Sequence, residues 1–263
     1  MSITISSINY CPVKSISFQY IDSCEIKKNI GVVGDRVFAF ARNLDTDKAR
    51  LFEKSPEERK GKWDKILTLK NFPVLNKYNF LFKKNKLTLI KKDKEILTID
   101  VNESNECQLL SNKIIELENN LKEPIVLMKN EEFPFFDTTI SKKIDFVNSI
   151  SLLNIQSIND FKKKIGQKIE ISRFRGNLCV DGIKPWEERE WLGKIIKINN
   201  VSFKVEKNIP RCAAINLKPQ TDDNSVNLLQ FLKKKYNHFD MGIYLSALQD
   251  GKINLGDKLE VIS

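Results

Sequence analysis

Apolar residues alternate with polar ones in short runs, separated by turn signals, along the first hundred positions of the chain. Ile3 to Tyr10, Tyr20 to Ile26, Arg36 to Ala41, Ile66 to Leu69, Asn79 to Phe82, Lys86 to Ile90 and Glu95 to Val101 have the spacing and the β-branched or aromatic content of strands. At Gln108 the period changes. Leu109, Leu110, Ile114, Leu117 and Leu121 recur at three- and four-residue steps, predicting an amphipathic helix from Gln108 to Leu121 with Pro124 just beyond it. A second helix is predicted from about Gln156 to Lys164, with Asn154 or Ser157 near its N-cap, and a third over Val226 to Lys235. Between and after them, Leu178 to Asp181, Lys194 to Ile198, Val201 to Val205, Ala213 to Leu217 and Gly242 to Ala247 read as strands. A Gly256-Asp257 turn leads into Lys258 to Val261, an alternating strand placed to close a barrel.

These elements predict a mainly β (α+β) fold in two parts, with a few helices packed outside. Residues 1–120 form a β-barrel-like N-terminal domain and residues 121–263 a C-terminal β-barrel domain. The natural boundary falls within 105–125, although a strand before it can still pair with strands after it.

Composition narrows the function. A chain of 263 residues with 41% hydrophobic content can bury a substantial core, and the scarcity of Gly (10) and Pro (8) argues against disorder. The formal charge of +10 raises nucleic acid or anionic lipid as partners. However, only eight of the 44 basic residues are Arg and the 36 Lys are scattered, which reads as a solvated surface, so neither nucleic acid nor membrane is expected as a partner. The one dense aromatic cluster, Phe133, Phe135 and Phe136, is flanked by acidic residues rather than interleaved with basic ones. No basic-then-apolar leader follows Met1 and no run of about 18 apolar residues occurs, which predicts a soluble cytoplasmic protein. Five cysteines (Cys11, Cys24, Cys107, Cys179, Cys212) without a C-x-x-C pair argue against a disulfide framework or an all-cysteine zinc site. With His238 as the only histidine, a metal would have to rely on sulfur, on carboxylates or on ligands brought by a cofactor.

Three short patterns could carry chemistry. In Ile209-Pro210-Arg211-Cys212, an arginine precedes a cysteine at the mouth of a predicted strand, and a neighbouring cation generally favours the thiolate needed for ligation or attack. Arg173-Phe174-Arg175-Gly176-Asn177 places two arginines one residue apart in a chain that otherwise prefers Lys, and guanidinium forks suit phosphate or a planar heterocycle. Lys14-Ser15 after the first strand, with Gly34-Asp35-Arg36 before another, could cradle a phosphate. Each also has a plain structural explanation: a buried thiol, a salt-bridged strand edge, a turn.

Taken in order, the patterns resemble one family. Tyr10-Cys11-Pro12-Val13-Lys14-Ser15 and Gly34-Asp35-Arg36-Val37-Phe38 resemble segments of the N-terminal β-barrel domain of MOSC proteins. Arg173 to Asn177, with Gly182 and Trp186, resembles the R-F-R-x-N stretch of the MOSC domain, Pro210-Arg211-Cys212 its cysteine segment, and Leu255 to Leu259 its final strand. In layout the chain is similar to bacterial MOSC proteins and the mitochondrial amidoxime-reducing component. The resemblance implies a molybdenum-pterin cofactor, with Cys212 as the protein ligand to the metal and as the catalytic residue. It also implies that Lys14, Ser15, Arg36, Arg175 and Asn177 hold the pterin and its phosphate, joined by Asn154, Ser157 and Arg211. The implied activity is reduction of a small N-hydroxylated substrate by oxygen-atom transfer, fed by a separate electron-donor protein of the ferredoxin, flavin or haem type; Asp181 and Glu187 could relay protons, but each reads first as an exposed surface carboxylate. The alternative is a cofactor carrier or a sulfur-handling protein bearing a persulfide on Cys212. Pyridoxal phosphate is not expected, since no lysine stands out for a Schiff base. Two departures are notable: Pro210 where the family often has Ser, and Lys218 before Pro219 where it often has an acidic residue.

Overall fold

The computed structural model describes residues 2–16, 18–59, 61–136 and 150–262. In chain order the first strands are β1 (Ile3–Tyr10), β2 (Gln19–Ile21), β3 (Ser23–Lys27), β4 (Gly31–Val32), β5 (Phe38–Arg42), β6 (Tyr78–Lys83), β7 (Lys86–Lys91), β8 (Lys94–Asp100) and β9 (Ile125–Lys129). They are followed by β10 (Ile150–Asn154), β11 (Leu178–Asp181), β12 (Ile195–Ile198), β13 (Val201–Pro210), β14 (Asp240–Ala247), β15 (Gly251–Asn254) and β16 (Lys258–Val261). The α-helices are α1 (Thr46–Lys54), α2 (Ser104–Leu117), α3 (Ile155–Ile165) and α4 (Leu228–Tyr236).

Seven strands close a barrel in the order β1-β11-β10-β14-β13-β12-β16 and back to β1. All neighbours are antiparallel except β10 and β11, which are parallel and therefore need a crossover; α3 lies in it. Inward positions carry Ile5, Ile8, Leu152, Leu178, Val180, Ile196, Phe203 and Leu245, all shut off from solvent. Each such side chain stabilises the fold by about 1.5–3 kcal/mol relative to exposure. Gly242 lets β14 approach β10, because it sits at φ +80° and a Cβ there would collide with the carbonyl of Leu152.

The first half of the chain contributes a β6-β7-β8 meander and the β5–β9 pair, with α1 and α2 against β9. Its core of Phe38, Phe40, Phe80, Leu87, Leu89, Leu110, Ile114 and Leu127 also takes in Leu217, so the two halves share apolar packing beneath residues 213–217. Among the described residues closure occurs in the C-terminal barrel only; the strands of residues 38–129 remain a pair and a meander. Strand pairing also crosses position 120 both ways: β1 completes the C-terminal barrel and β3 pairs with β15, whereas β9 returns to β5.

Several predicted elements take other forms. Tyr20 to Ile26 divides into β2 and β3 at Asp22, Ile66 makes only an isolated bridge to Ala41, and Ala213 to Leu217 is a 3-10 turn over Ala213–Asn216 rather than a strand. That last segment mimics a strand because Ile215 and Leu217 are both buried. The turn is held by Asn216, whose carbonyl accepts from Arg173 at 2.8 Å and whose Oδ1 accepts from the amide of Leu229 at 3.2 Å.

Candidate functional site

Two segments converge at one end of the barrel. β13 runs to Pro210, the amide of Arg211 extends its ladder by donating to the Phe239 carbonyl at 2.9 Å, and Cys212, extended and exposed, leads into the 3-10 turn. On the neighbouring side a 3-10 turn over Ile171–Phe174 is capped by Arg175 in the left-handed region at φ 50°. Gly176 follows because a Cβ there would drive into the side chain of Leu153. Arg211 locks the segments together: one terminal nitrogen donates to the Phe174 carbonyl at 2.6 Å, and Nε donates to Met241 at 2.8 Å.

Between them lies a cleft of about 250 Å³ walled by Arg36, Arg175, Lys207, Arg211 and Cys212, with Phe136, Phe174, Ser151 and Tyr244. Among the described residues no carboxylate lines it. Arg36 reaches the cleft from the N-terminal half; its guanidinium lies 4.9 Å from the ring centres of both Phe18 and Phe136. Phe18 is shared, since Arg175 stands 4.9 Å from the same ring while donating to the Ile16 carbonyl at 2.8 Å. Arg175 also walls two adjoining cavities of about 230 and 460 Å³. Burial, with Arg175 and Arg36 close by, lowers the pKa of Arg211 to about 10, so it stays cationic at neutral pH. Three guanidinium groups drawn to one opening form a site for an anion.

Behind the cleft lies the carboxylate of Asp35, bonded to the wall residue Arg36. Fully buried, it accepts from the Cys11 amide at 2.7 Å, from Asn177 Nδ2 at 3.1 Å and from the Arg36 guanidinium. Cys11 donates its thiol to the carbonyls of Val13 (2.9 Å) and Ile16 (3.0 Å), and burial raises its pKa against the opposing pull of Arg175 and Arg36.

The residues singled out from sequence divide accordingly. Arg36, Arg175, Arg211 and Cys212 meet at the cleft. Lys14 and Ser15 lie buried in the loop after β1 and are not among its walls; Lys14 Nζ donates to the Phe135 carbonyl at 3.1 Å, next to the wall residue Phe136. Asn177 sits one layer behind, its Oδ1 accepting from the Ser151 hydroxyl at 2.8 Å and amide at 3.2 Å. Asn154 and Ser157 are elsewhere. Asn154 caps α3 and donates to Glu188 Oε2 at 2.7 Å, while the Ser157 hydroxyl donates to the same carboxylate at 2.8 Å. Asp181 accepts from Gln156 at 2.8 Å and Glu187 accepts from the Lys184 amide at 3.1 Å, so neither faces the cleft. Of the RFRGN stretch, Arg173 is structural, bonded to Glu170 and Asn216. Sequence reasoning missed Phe18, Phe136, Ser151, Lys207 and Tyr244. Lys207 and Tyr244 pair across β13 and β14 beyond a bulge at Val205/Lys207, which carries the strand past the point where alternation ends it.

Glu188 yields a pH prediction. Burial raises its pKa above the ordinary 4.5 despite the bonds from Asn154 and Ser157. The folded chain therefore keeps a proton that the unfolded chain releases. Stability from this group is complete below about pH 4.5 and is lost as pH rises through the elevated folded value. Glu188→Gln should flatten that decline, read as a smaller fall in Tm than the parent's between about pH 4 and pH 7. Parallel curves would contradict the buried-acid assignment.

A closed β-barrel bearing a cationic cleft with a thiol at its mouth is the class that fold and site define. Residues 144–260 match the MOSC domain, so this C-terminal stretch of the chain is a MOSC domain. It is 37% identical to a molybdenum cofactor sulfurase of Bombyx mori over 86 residues, 32% of this chain and 10% of that protein. It is also 29% identical over 100 residues to molybdenum cofactor sulfurase 2 of Culex quinquefasciatus, covering 35% of this chain and 13% of that protein. It thus spans little more than a tenth of the length of these curated relatives. Among solved structures it is similar to the YUAD protein of Bacillus subtilis, over 99% of this chain and 96% of that one, at 11% identity and a TM-score of 0.43. It is similar as well to YiiM from Geobacillus stearothermophilus, over 43% and 54% respectively, at 18% identity and a TM-score of 0.35. Among the described residues, no helix is long and apolar enough to cross a membrane.

Proposed function

We propose that the chain binds a molybdenum-pterin cofactor at this cleft, with Cys212 as the protein's thiolate ligand, and reduces N-hydroxylated compounds. The observation that carries this reading is the exposed Cys212 thiol at the edge of a cleft whose charged walls, among the described residues, are all cationic. The donor set fits such a group. Among the described residues no three His, Cys, Asp or Glu side chains converge to hold a metal, so one thiol suffices only for a metal that brings its other ligands. When bound, the cofactor would supply two-electron oxygen-atom chemistry, the protein's part being binding and orientation. Arg36 and Arg175 would grip phosphate and pterin oxygens, Arg211, committed to the Met241 and Phe174 carbonyls, would add positive charge behind them, Phe136 and Phe174 would exclude water, and Asp35 would hold Arg36 in place.

A second reading, sulfur handling through a persulfide on Cys212, is favoured by the sulfurase names of the curated relatives. One experiment separates the two. The chain is produced in a host that makes the cofactor, then assayed for molybdenum and pterin per chain, for the mass of one added sulfur on Cys212, and for amidoxime reduction with a chemical reductant. Stoichiometric molybdenum with turnover supports the first reading; added sulfur without turnover supports the second. Arg175→Ala should cut pterin content to a small fraction while the protein stays folded, and unchanged pterin would remove Arg175 from the binding set.

A further inference from the structure

Most lysines are scattered in sequence, but two runs of three meet in space. Lys162, Lys163 and Lys164 form the last turn of α3, and Lys233, Lys234 and Lys235 the last turn of α4. The helix ends adjoin, because Lys164 Nζ lies 4.3 Å from the ring centre of Tyr236, the final residue of α4, and Tyr236 donates its hydroxyl to Asp160 of α3 at 2.8 Å. Cations complement the negative end of a helix, which accounts for some lysine at each terminus but not for two full triplets side by side. Phe239, 41% exposed, lies just beyond with Lys233 over its ring.

A second observation ties this face to the cleft. Phe174, a cleft wall, packs edge-on against Phe161 at 6.0 Å between ring centres; Phe161 stands 6.1 Å from Tyr236, and Tyr236 4.3 Å from Trp186. Asp160 fixes the outer rings, accepting from Trp186 Nε1 at 2.7 Å as well as from Tyr236. An unbroken column of rings therefore runs from the cleft to the lysine face.

We propose that the adjoining C-terminal ends of α3 and α4 form the docking surface for a small acidic one-electron carrier protein of the iron–sulfur or flavin class, with the column Phe174-Phe161-Tyr236-Trp186 linking that surface to the cleft. The inference rests on the cofactor reading above. Two successive dockings would each oxidise the carrier by one electron, and the two electrons with two protons from solvent would convert an N-hydroxyl to N–H and water by the chemistry that a bound cofactor would supply. Charge complementarity selects the partner: exposed lysines steer acidic proteins into brief, salt-sensitive encounters. Single-stranded nucleic acid is disfavoured, since Trp186 and Tyr236 pack on one another rather than offering open faces for bases.

The test measures association of the full-length chain with a plant-type [2Fe–2S] ferredoxin at low ionic strength, comparing the double variant K163E/K234E with K83E/K94E, an equal charge change on the exposed turns of the meander. The first pair should slow association roughly 10-fold or more and flatten its salt dependence, with the second pair near the parent rate. Equal losses in both pairs, no association by the parent chain, or loss of oligonucleotide binding in place of ferredoxin binding would each overturn the proposal. Association does not require loaded metal and is repeated in Cys212→Ala. Failure of the docking surface is thereby distinguished from failure of the cofactor reading, which the molybdenum content reports.

Discussion

Cys212→Ala is expected to melt at the parent's temperature and, on the proposed cofactor reading, to lose reduction of N-hydroxylated compounds altogether. The side chain is exposed, at the N-cap of a 3-10 turn in which it makes no side-chain capping bond, so its removal opens no cavity and strands no polar partner. Surface changes of that kind usually shift stability by no more than about 0.5 kcal/mol. If the thiolate is the protein's ligand to the metal, the loss of turnover should exceed the roughly 10- to 100-fold cost of removing an outer partner of a ligand. Cys212→Ser discriminates further, because a hydroxyl keeps the shape but not the soft donor. The measurements are thermal melting, molybdenum per chain and turnover with a chemical reductant. Full turnover by a fully loaded alanine variant would refute ligation by Cys212.

The difference between what the sequence discloses and what it conceals follows from how each residue is used. β1 and β11 are legible to the residue, over Ile3–Tyr10 and Leu178–Asp181. β10 is not, because all five of its residues are buried and no alternation marks it. α1 also escapes, though Asp45 accepts from the Lys48 amide at 2.8 Å as an N-cap and Ala49 and Phe52 bury one face, because a nine-residue helix offers too few periodic positions. At the site, arginines stand out in a lysine-rich chain, and Arg36, Arg175 and Arg211 do converge. Asn154, Ser157 and Asn177 have the polar atoms a ligand would want but spend them on Glu188, Asp35 and Ser151. Only coordinates reveal that, since a short polar side chain looks the same in sequence whether it faces a cleft or closes a buried network. The wall ring Phe136, and Phe18 stacked on Arg36 and Arg175, are equally concealed, as nothing local links either one to an arginine far away in sequence.

Asp35→Asn should be the most destabilising isosteric change at the site. The carboxylate is sealed from solvent and is the counter-charge to Arg36, itself nearly buried between two rings. Removing one member of a buried pair leaves the other charge uncompensated, at a typical cost of about 3–5 kcal/mol. In a chain of this size that corresponds to a Tm lower by on the order of 10 °C. An asparagine can still accept from the Cys11 amide, but its own amide group would then face the donors of Asn177 and Arg36, adding donor-to-donor conflict to the missing charge. Two outcomes identify the cause as charge rather than packing. Inorganic phosphate should recover more Tm in the variant than in the parent, because an anion in the cleft replaces the missing negative charge. Asp35→Asn combined with Arg36→Gln should cost less than Asp35→Asn alone, a coupling that a double-mutant cycle reads directly. A single-variant loss below about 1 kcal/mol, or strict additivity in the cycle, would show that Asp35 does not balance Arg36 and that the cationic cleft is neutralised elsewhere.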